Sequence, residues 1–236
     1  MHSESFPRIT IALDGFAACG KSTLAKDLCA ALDYAFIDTG AMYRAITCWA
    51  LREGVEPDAS LPWARWLAGL PLEWQMSDGK FRVVLDGRDI EEEIRSMSVS
   101  ARVSDIAALS AVRAFLVRQQ QILGQHGGVV LDGRDIGTVV FPDAELKIFV
   151  TADKEVRIKR RFEELQAKGY SVTEAEVRAN LAQRDHIDST RLDSPLQAAP
   201  DVVWMDTSAM SRALQLQIAL EEARWRCQKK NGWAAR

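Results

Sequence analysis

The sequence predicts an α/β protein in which a parallel β-sheet lies between two layers of helices. Short apolar strands alternate with segments of helical spacing at both ends of the chain. A glycine-rich loop joins the first strand to the first helix, as in many folds of this class. The alternation stops between about Pro57 and Ser100, where period-two segments predict a small antiparallel β insert. With 236 residues, 47 % of them hydrophobic, the chain can bury a sizeable core.

The first four elements alternate strictly between strand and helix. The β-branched run Ile9–Asp14 predicts a strand that stops at Gly15. Apolar residues at helical spacing predict helices over Ser22–Leu32 and Met42–Leu51, with a second strand at Tyr34–Ile37 between them. This order is typical of a parallel sheet covered on both faces.

The interrupted region has hairpin signals. Leu72–Met76 and Phe81–Leu85 alternate between apolar and polar residues, and the dipeptides Asp78-Gly79 and Asp86-Gly87 are two-residue turn signals. The expected division is an insert at 59–100 within a core formed by 1–58 and 101–236.

The α/β alternation then resumes to the end of the chain. No low-complexity linker divides it. The predicted elements are a helix at Ala101–Leu123, strands at Gly128–Asp132 and Leu146–Val150, helices at Lys154–Lys168 and Thr173–Ile187, a strand at Val202–Met205 and a helix at Ala213–Arg226.

Composition excludes several classes of protein. The net charge of −3 argues against a general nucleic-acid coat. No apolar run approaches the ~20 residues of a membrane span, and Met1–Ser5 does not begin a signal peptide. The four cysteines form no Cys-x-x-Cys pair and the chain is too large to need disulfides, which indicates free thiols in a reducing compartment. The three histidines are scattered, so no zinc site is expected. We therefore expect a cytoplasmic monomer with no nucleic-acid or membrane partner.

The loop Gly15–Ser22 fits the phosphate-binding pattern G-x-x-x-x-G-K-[ST], between a strand and a helix. Its glycines let consecutive N–H groups face one anion, and the following helix adds partial positive charge. Lys21 is expected to reach the β- and γ-phosphates, and the Ser22 hydroxyl with Asp132 is expected to hold Mg²⁺ or its water. The expected nucleotide-binding residues are Gly15, Ala17, Ala18, Cys19, Gly20, Lys21, Ser22 and Thr23.

Cys19 lies inside this loop, beside Lys21 and the start of the helix. Both features stabilise a thiolate. We expect the Cys19 thiol to be alkylated faster than that of Cys29, and bound nucleotide to slow the reaction.

The hexapeptide Leu-Asp-Gly-Arg-Asp-Ile occurs twice, at 85–90 and at 131–136. The first copy follows an alternating strand, so its Asp-Gly is interpreted as a hairpin turn. The second follows an all-apolar strand, and parallel sheets bind ligands at the carboxyl ends of such strands. Arg134 and Asp135 are therefore the functional candidates, whereas Arg88 is not.

Three further segments narrow the function: Asp38–Arg44, Asp132–Ala144 and Arg184–Arg191. In the last, Arg184, Asp188 and Arg191 are spaced four and three apart, which would align them on one helix face. Together with the loop, and in this order from about Ile9 to Ala223, these segments resemble the bacterial cytidylate kinase family. The segment at 132–144 is the specific one, and Phe16 departs from the family, which commonly has proline there.

This resemblance implies an adenylate-kinase-like P-loop fold with a five-stranded parallel sheet, a monophosphate-binding insert and a helical lid at about 153–172. It also implies transfer of the γ-phosphate of ATP, with Mg²⁺, to CMP or dCMP. The implied catalytic residues are Lys21, Arg134, Arg157, Arg160 and Arg161, the last three in the lid. The implied substrate contacts are Thr39, with Arg44, Arg134 and Arg191 at the phosphate, Ser104, Arg113 and Asp135 at the cytosine, and Arg184 and Asp188 at the sugar.

Other interpretations remain open at this point. The enzyme could instead phosphorylate UMP, AMP or a small molecule such as shikimate. A non-enzymatic P-loop regulator is a further alternative, although the sequence has no Asn/Thr-Lys-x-Asp segment for reading guanine. Taken alone, the basic stretch Arg157–Arg161 is also consistent with a solvated helix face, and the 184–191 charges with a surface ion-pair ladder.

Overall fold

The computed structural model describes residues 8–77 and 80–230. The strands are β1 Thr10–Gly15, β2 Ala35–Asp38, β3 Leu72–Ser77, β4 Lys80–Leu85, β5 Arg88–Asp89, β6 Val129–Gly133, β7 Leu146–Thr151 and β8 Val203–Asp206. The helices are α1 Lys21–Leu32, α2 Thr39–Arg52, α3 Trp63–Ala68, α4 Met97–Ala107, α5 Ser110–Gly124, α6 Lys154–Ala167, α7 Glu174–Thr190 and α8 Arg212–Lys230. A 3₁₀ turn at Glu93–Arg95 and a π-helical turn at Ile136–Val140 complete the elements.

The sheet confirms the predicted parallel arrangement. Strands β2, β6, β1, β7 and β8 lie side by side in that order, and each neighbouring pair is parallel. In the register of β1 with β6, Asp14 lies opposite Gly133. The loops that leave β1 and β6 therefore begin next to each other at the carboxyl edge, where ligands bind in open parallel sheets.

Helices cover both faces of the sheet, which confirms the three layers. All six residues of β1 are buried, and successive side chains point to opposite faces. Ile11 and Leu13 pack in one apolar cluster with residues of α1 and α8. Ala12 packs in the other cluster, with residues of α2 and α5. Burial on both faces explains why the strands contain nearly continuous apolar runs.

The insert forms the small antiparallel sheet that the alternation predicts. β3, β4 and β5 are antiparallel neighbours. The dipeptide Asp86-Gly87 is the turn between β4 and β5, with φ values of 52° and 71° that suit a primed hairpin turn. The expected turn at Asp78-Gly79 lies outside the described residues. β4 also pairs with β2 through Phe36 opposite Lys80, so the insert continues the main sheet.

A cluster of tryptophans joins α3 to the core. The rings of Trp49, Trp63 and Trp66 pack edge to face, with centroids 5.7–6.1 Å apart. Trp63 is fully buried, and its indole Nε1 donates to the Asp58 carbonyl at 2.8 Å. α3 thus packs in the same apolar cluster as α2 and α5.

The predicted single helix over Ala101–Leu123 is wrong. The structure has two helices, α4 and α5, separated at Ala108 and Leu109. Leu109 is extended, with φ −76° and ψ 117°, and its side chain is buried in the core. The apolar spacing continues across the break, so periodicity alone does not reveal it.

Membrane-spanning character and the state of the cysteines can both be read from the structure. Among residues 8–77 and 80–230, no helix has the length and apolar character that a membrane span requires. All four cysteines are buried.

We expect Gly15→Ala to prevent stable folding, because a Cβ at this position would lie 2.0 Å from the Val150 carbonyl oxygen and φ is +143°. Gly54→Ala is the matched control, since Gly54 has φ +64° but no neighbour within 4 Å of the added Cβ. The control should lose only the roughly 1–2 kcal/mol of a left-handed non-glycine residue. Urea unfolding measures both, and equal losses would contradict the close-approach argument.

Candidate active site

A cavity of about 770 Å³ opens at the carboxyl edge of the sheet. It is lined by every predicted site residue except Gly15 and Arg157. Its walls come from the loop after β1, the starts of α1 and α2, the turn after β6, and helices α4 to α7. Such a volume is within the range of ligand-binding pockets.

The loop after β1 leaves the start of α1 open for an anion. Gly20 is the N-cap residue, with φ 94°, and it provides no side-chain cap. The first turn of α1 contains no acidic residue. The first N–H groups of the helix are thus available to an anion, and the helix dipole favours one there.

Lys21 is held at the base of this loop. Its ammonium donates to the carbonyls of Gly15 and Phe16 at 2.9 and 2.7 Å. Burial, together with the nearby guanidinium of Arg134, lowers the pKa of Lys21, although neighbouring Cys19 and Asp132 act to raise it. A buried ammonium aimed at a phosphate loop can offset charge on a transferring phosphoryl group.

The faster alkylation of Cys19 relative to Cys29 stays a prediction, and both cysteines are buried. The Cys19 side chain is 0 % exposed, and its Sγ donates to the Phe16 carbonyl at 3.0 Å. Alkylation requires access as well as thiolate character. The residue lines the cavity, but its thiol points into the protein, which local sequence does not determine.

Ser22 and Asp132 meet although they are 110 residues apart, and the Ser22 hydroxyl donates directly to the Asp132 carboxylate. Burial, then the nearby carboxylate of Asp38, raises the pKa of Asp132 to about 6, although Lys21 acts to lower it. A divalent cation would relieve this repulsion. No group of three or more His, Cys, Asp or Glu side chains forms a metal cluster in the described residues. Mg²⁺ usually takes one or two carboxylates and completes its coordination with phosphates and water, so this pair fits Mg²⁺.

The two copies of the hexapeptide have different environments. Arg88 and Asp89 are exposed in the hairpin strand β5. Arg134 lies at the cavity, where its Nε donates to Asp188 at 2.7 Å and its Nη1 to the Gly133 carbonyl at 3.2 Å. The identical sequence therefore forms a surface hairpin in one place and a cavity wall in the other.

Arg44 and Arg184 are the next two cations of the cavity wall. Neither forms an ion pair with any described residue (8–77, 80–230). Burial, and repulsion by guanidiniums such as Arg161, lowers the pKa of Arg44 to about 10, although Asp38 acts to raise it. Burial, then repulsion by Arg44 and Arg134, lowers the pKa of Arg184 to about 9. An anion with several oxygens, such as a phosphate, would compensate this group of positive charges.

Asp188 connects three parts of the cavity wall. One carboxylate oxygen accepts from Arg134, and the other accepts from the Ser104 hydroxyl at 3.2 Å. Burial acts to raise the pKa of Asp188, but Arg134 and Arg184 outweigh it, so the pKa is lowered. Asp188 is thus an ionised anchor for Arg134.

A second charged cluster lies at the break between α4 and α5. Arg113 donates from Nη2 to Asp135, and Arg191 Nη2 lies 3.5 Å from the other oxygen of Asp135. The Arg113 guanidinium lies over the Tyr43 ring, with Cζ 5.7 Å from the centroid. Burial raises the pKa of Asp135, although Arg113 and Arg191 act to lower it. Nε and Nη1 of Arg113 are buried and have no hydrogen-bond partner among the described residues. Nε also lies 3.9 Å from the Asp193 carboxylate, too far for a hydrogen bond. This cluster therefore presents donors without a hydrogen bond beside a carboxylate acceptor.

The expected helix face over 184–191 is only partly present. Arg184 and Asp188 lie in α7, but the helix ends at Thr190 and Arg191 is the extended C-cap residue, with ψ 144°. Arg191 donates instead to the Ser194 carbonyl, at 2.6 Å from Nη2. Because the helix ends before Arg191, spacing alone misplaces this side chain.

The three arginines of α6 have three different environments. Arg157 does not line the cavity; its Nη1 donates to the Ala17 carbonyl at 3.3 Å and to Asp185 at 2.7 Å. Its guanidinium also lies 5.2 Å from the centroid of the Phe16 ring, the residue that departs from the family pattern. Arg160 and Arg161 line the cavity. Arg160 donates twice to Thr207, and Arg161 pairs with Glu164 at 2.8 Å. The stretch is therefore not simply a solvated face.

Sequence reasoning missed several wall residues. Arg95 reaches the rim from the insert's 3₁₀ turn, where it pairs with Glu91 at 3.1 Å and Asp38 at 3.5 Å. Glu164 lines the cavity and binds Lys168 as well as Arg161. An isolated arginine after a hairpin has no sequence signal, because only the fold brings the insert to this rim.

Comparisons with known proteins point to one family. A family model described as cytidylate kinase matches residues 11–224. A cytidylate kinase from Bacteroides fragilis is 46 % identical over 220 residues, which cover 91 % of this chain and 96 % of that protein. Another, from Porphyromonas gingivalis, is 48 % identical over 225 residues and covers 90 % and 95 %.

One solved structure supports the fold alone. A gluconokinase from Sinorhizobium meliloti aligns with 98 % of this chain and all of its own, with a TM-score of 0.51 and 14 % sequence identity.

We expect inorganic tripolyphosphate to raise Tm, because it would compensate the unpaired Arg44 and Arg184. At about 100 times its Kd it should add about 2.7 kcal/mol to the free energy of unfolding. Arg184→Gln should weaken the fitted affinity roughly tenfold, as expected for a lost charge-assisted contact. Thermal unfolding at several concentrations gives the affinity. Arg88→Gln is the matched control on the exposed hairpin, and equal weakening in both variants would refute a specific anion site.

Proposed function

The chain belongs to the cytidylate kinase family, and we propose that its cavity binds ATP and CMP, or dCMP, together, so that the γ-phosphate passes from one to the other. The protein is a phosphotransferase that gives CDP or dCDP. The observation that carries the residue roles is the pair Arg44 and Arg184, half-buried cations with no ion-pair partner among the described residues, at the cavity that contains the phosphate loop.

In this proposal, the loop 15–22 and the start of α1 bind the ATP phosphates. Lys21 offsets charge on the transferring group, and Arg134 lies close enough to lower the pKa of Lys21. Arg44 and Arg184 bind the CMP phosphate from the other side. Phosphoryl transfer needs alignment and charge compensation rather than covalent help, because a phosphate oxygen is already a competent nucleophile. We assign Arg160 and Arg161 of α6 to the ATP side and Arg157 to support of the loop through Ala17.

Ser22 and Asp132 would hold Mg²⁺ at the ATP-binding loop. The ion supplies electrostatic stabilisation of the phosphate oxygens when bound. The chain's own contribution is orientation: the Thr39 hydroxyl donates to the Asp132 carbonyl at 2.6 Å and so holds this residue in place.

Arg113 and Asp135 would read the cytosine. Cytosine offers an N4 amino donor beside the acceptors N3 and O2, which complement a carboxylate and the spare Nε and Nη1 donors of Arg113. Uracil reverses the first two groups, with an O4 acceptor and an N3–H donor. UMP would therefore leave buried charged groups unpaired. AMP presents the same donor and acceptor as cytosine but has no third acceptor corresponding to O2.

The family assignment excludes the alternatives of a regulator without enzymatic activity and of a shikimate-type kinase. The alternative substrates UMP and AMP differ from CMP only in the base. Rates measured side by side with CMP, dCMP, UMP and AMP test the assigned contacts. UMP should be slower by at least about 100-fold in kcat/KM, since a site built to hydrogen-bond a group strongly rejects an analogue that lacks it. Equal rates with UMP would refute the roles of Arg113 and Asp135.

We expect Arg134→Ala to lower kcat at least about 100-fold, as for loss of an electrostatic contact to a transition state. Arg88→Ala removes the same side chain from the other copy of the hexapeptide and should leave kcat unchanged. Product formation from ATP and CMP, with magnesium present or chelated, measures both. Similar losses in the two variants would contradict the distinction between the surface hairpin and the cavity wall.

We expect Asp188→Ala to lower kcat/KM roughly 10–100-fold with both CMP and dCMP, because it removes the carboxylate that accepts from partly buried Arg134 and buried Ser104. If Asp188 also contacts the sugar, the ratio of kcat/KM for CMP to that for dCMP will change. Steady-state kinetics with the two substrates measures this ratio. An equal fall would refute the sugar contact and leave only the anchoring of Arg134.

A further inference from the structure

Asp14 is a buried carboxylate that the proposed binding roles do not use. It is the residue before Gly15, in the middle strand of the parallel sheet, and is 4 % exposed. Its Oδ1 accepts from the Ile136 N–H at 2.8 Å, and its Oδ2 accepts from the Gly137 N–H at 2.7 Å. Both oxygens thus bind consecutive backbone amides of a distant segment.

These two amides begin the π-helical turn Ile136–Val140, directly after Arg134 and Asp135. The first N–H groups of any helical turn have no partner within the turn itself. Asp14 satisfies them from more than 120 residues away in sequence. The contact therefore joins the end of β1 to the segment that carries the cytosine-reading carboxylate.

The turn is too tightly packed to move independently of Asp14. A Cβ on Gly133 would lie 2.6 Å from Ile136 Cδ1 and 2.8 Å from the Thr39 hydroxyl. A Cβ on Gly137 would lie 3.1 Å from Lys147 Cδ and 3.3 Å from Asp14 Oδ2. A change at Asp14 should therefore displace the whole turn rather than one bond.

Burial makes ionisation of the Asp14 carboxyl group unfavourable. Burial raises the pKa of Asp14 to about 6, although the two backbone N–H groups act to lower it. Its contribution to stability is therefore present below the unfolded pKa and is lost as the pH rises through about 6. Ionisation of Asp14 therefore costs folding free energy at neutral pH, while its two hydrogen bonds satisfy the backbone amides of the turn.

We propose that Asp14 is a positioning residue that holds the CMP-reading turn in register with the ATP-binding loop. This inference rests on the proposed function. Asp14 precedes the loop that carries Lys21, and its two hydrogen bonds set where Arg134 and Asp135 stand relative to that loop. It contacts neither nucleotide; it aligns the two binding sites that in-line transfer requires.

The test is Asp14→Asn in the full chain. Asparagine keeps one acceptor oxygen, but its amide donors face the other backbone N–H, so one hydrogen bond is lost and the turn is displaced. KM for CMP should rise roughly tenfold or more, while the Kd for ATP from equilibrium binding should stay within about threefold. If Asp14 acted only on the stability of the fold, its substitution would not change KM for CMP while leaving the Kd for ATP unchanged.

Glu145→Gln is the matched control. Glu145 Oε2 accepts from the Thr10 N–H at 2.8 Å, at the opposite end of the same strand. This variant removes the same charge from a carboxylate that binds backbone, and it should leave KM for CMP and Kd for ATP within about twofold of the unsubstituted protein. Gly137→Ala is the second variant, since it disturbs the same contact from the turn and should reproduce the selective rise in KM even if Asp14→Asn does not fold.

The outcomes separate the two proposals. A KM for CMP unchanged in both Asp14→Asn and Gly137→Ala, or an equal loss of CMP and ATP affinity, would overturn the positioning role of Asp14. Failure of the unsubstituted protein to phosphorylate CMP in the same assay would instead overturn the proposed function. A selective rise in KM for CMP that is absent from Glu145→Gln supports the positioning role of Asp14.

Discussion

The parallel pairing of β1 with β6 is the constraint on which the rest of the site depends. It places Asp14 opposite Gly133, so the loop after β1 and the turn after β6 leave the sheet side by side. Ser22 and Asp132 can then form a direct hydrogen bond, and Arg134 comes near Lys21. The close approach of Gly15 to the Val150 carbonyl fixes the same edge from the other side of β1. A rigid edge matters because in-line transfer tolerates little misplacement of either nucleotide.

The arginines at the cavity are of two kinds: some contact carboxylates of the protein, and others form no ion pair with the described residues. Arg113, Arg134 and Arg191 contact carboxylates of the protein, which set their positions before a substrate arrives. Arg44 and Arg184 form no ion pair with the described residues, and their lowered pKa values reflect the cost of burial beside other cations. Preorganised groups that lack an anion bind one without having to give up an existing partner. This division suits a site that receives phosphates on both sides of a transfer.

Elements far from the sheet edge complete the cavity. Ser104 of α4 and Arg113 of α5 both line the cavity, and the break at Ala108 and Leu109 separates their helices. The insert contributes Arg95 from the 3₁₀ turn that follows its hairpin. Helices α6 and α7 are connected to the phosphate loop through the contact of Arg157 with Ala17 and Asp185. These polar contacts add to an apolar cluster in which Ala17 of the loop packs against Ile158 of α6 and Leu181 of α7.

The sequence by itself determined the class of the fold, the phosphate loop and the different fates of the two hexapeptides. These features depend on local patterns: apolar periodicity, glycines that permit unusual backbone angles, and the type of strand that precedes each copy. Only the tertiary structure decided which side chains meet. Arg160 donates to Thr207, 47 residues away. Arg191 lies just after the end of α7 and contacts Asp135, and the Cys19 thiol is buried. Asp14 lies inside a predicted strand, yet its partners are more than 120 residues distant. Periodicity reports which face of an element is buried, whereas the partner of a polar group depends on which distant segments the fold brings to it, and no local pattern contains that information.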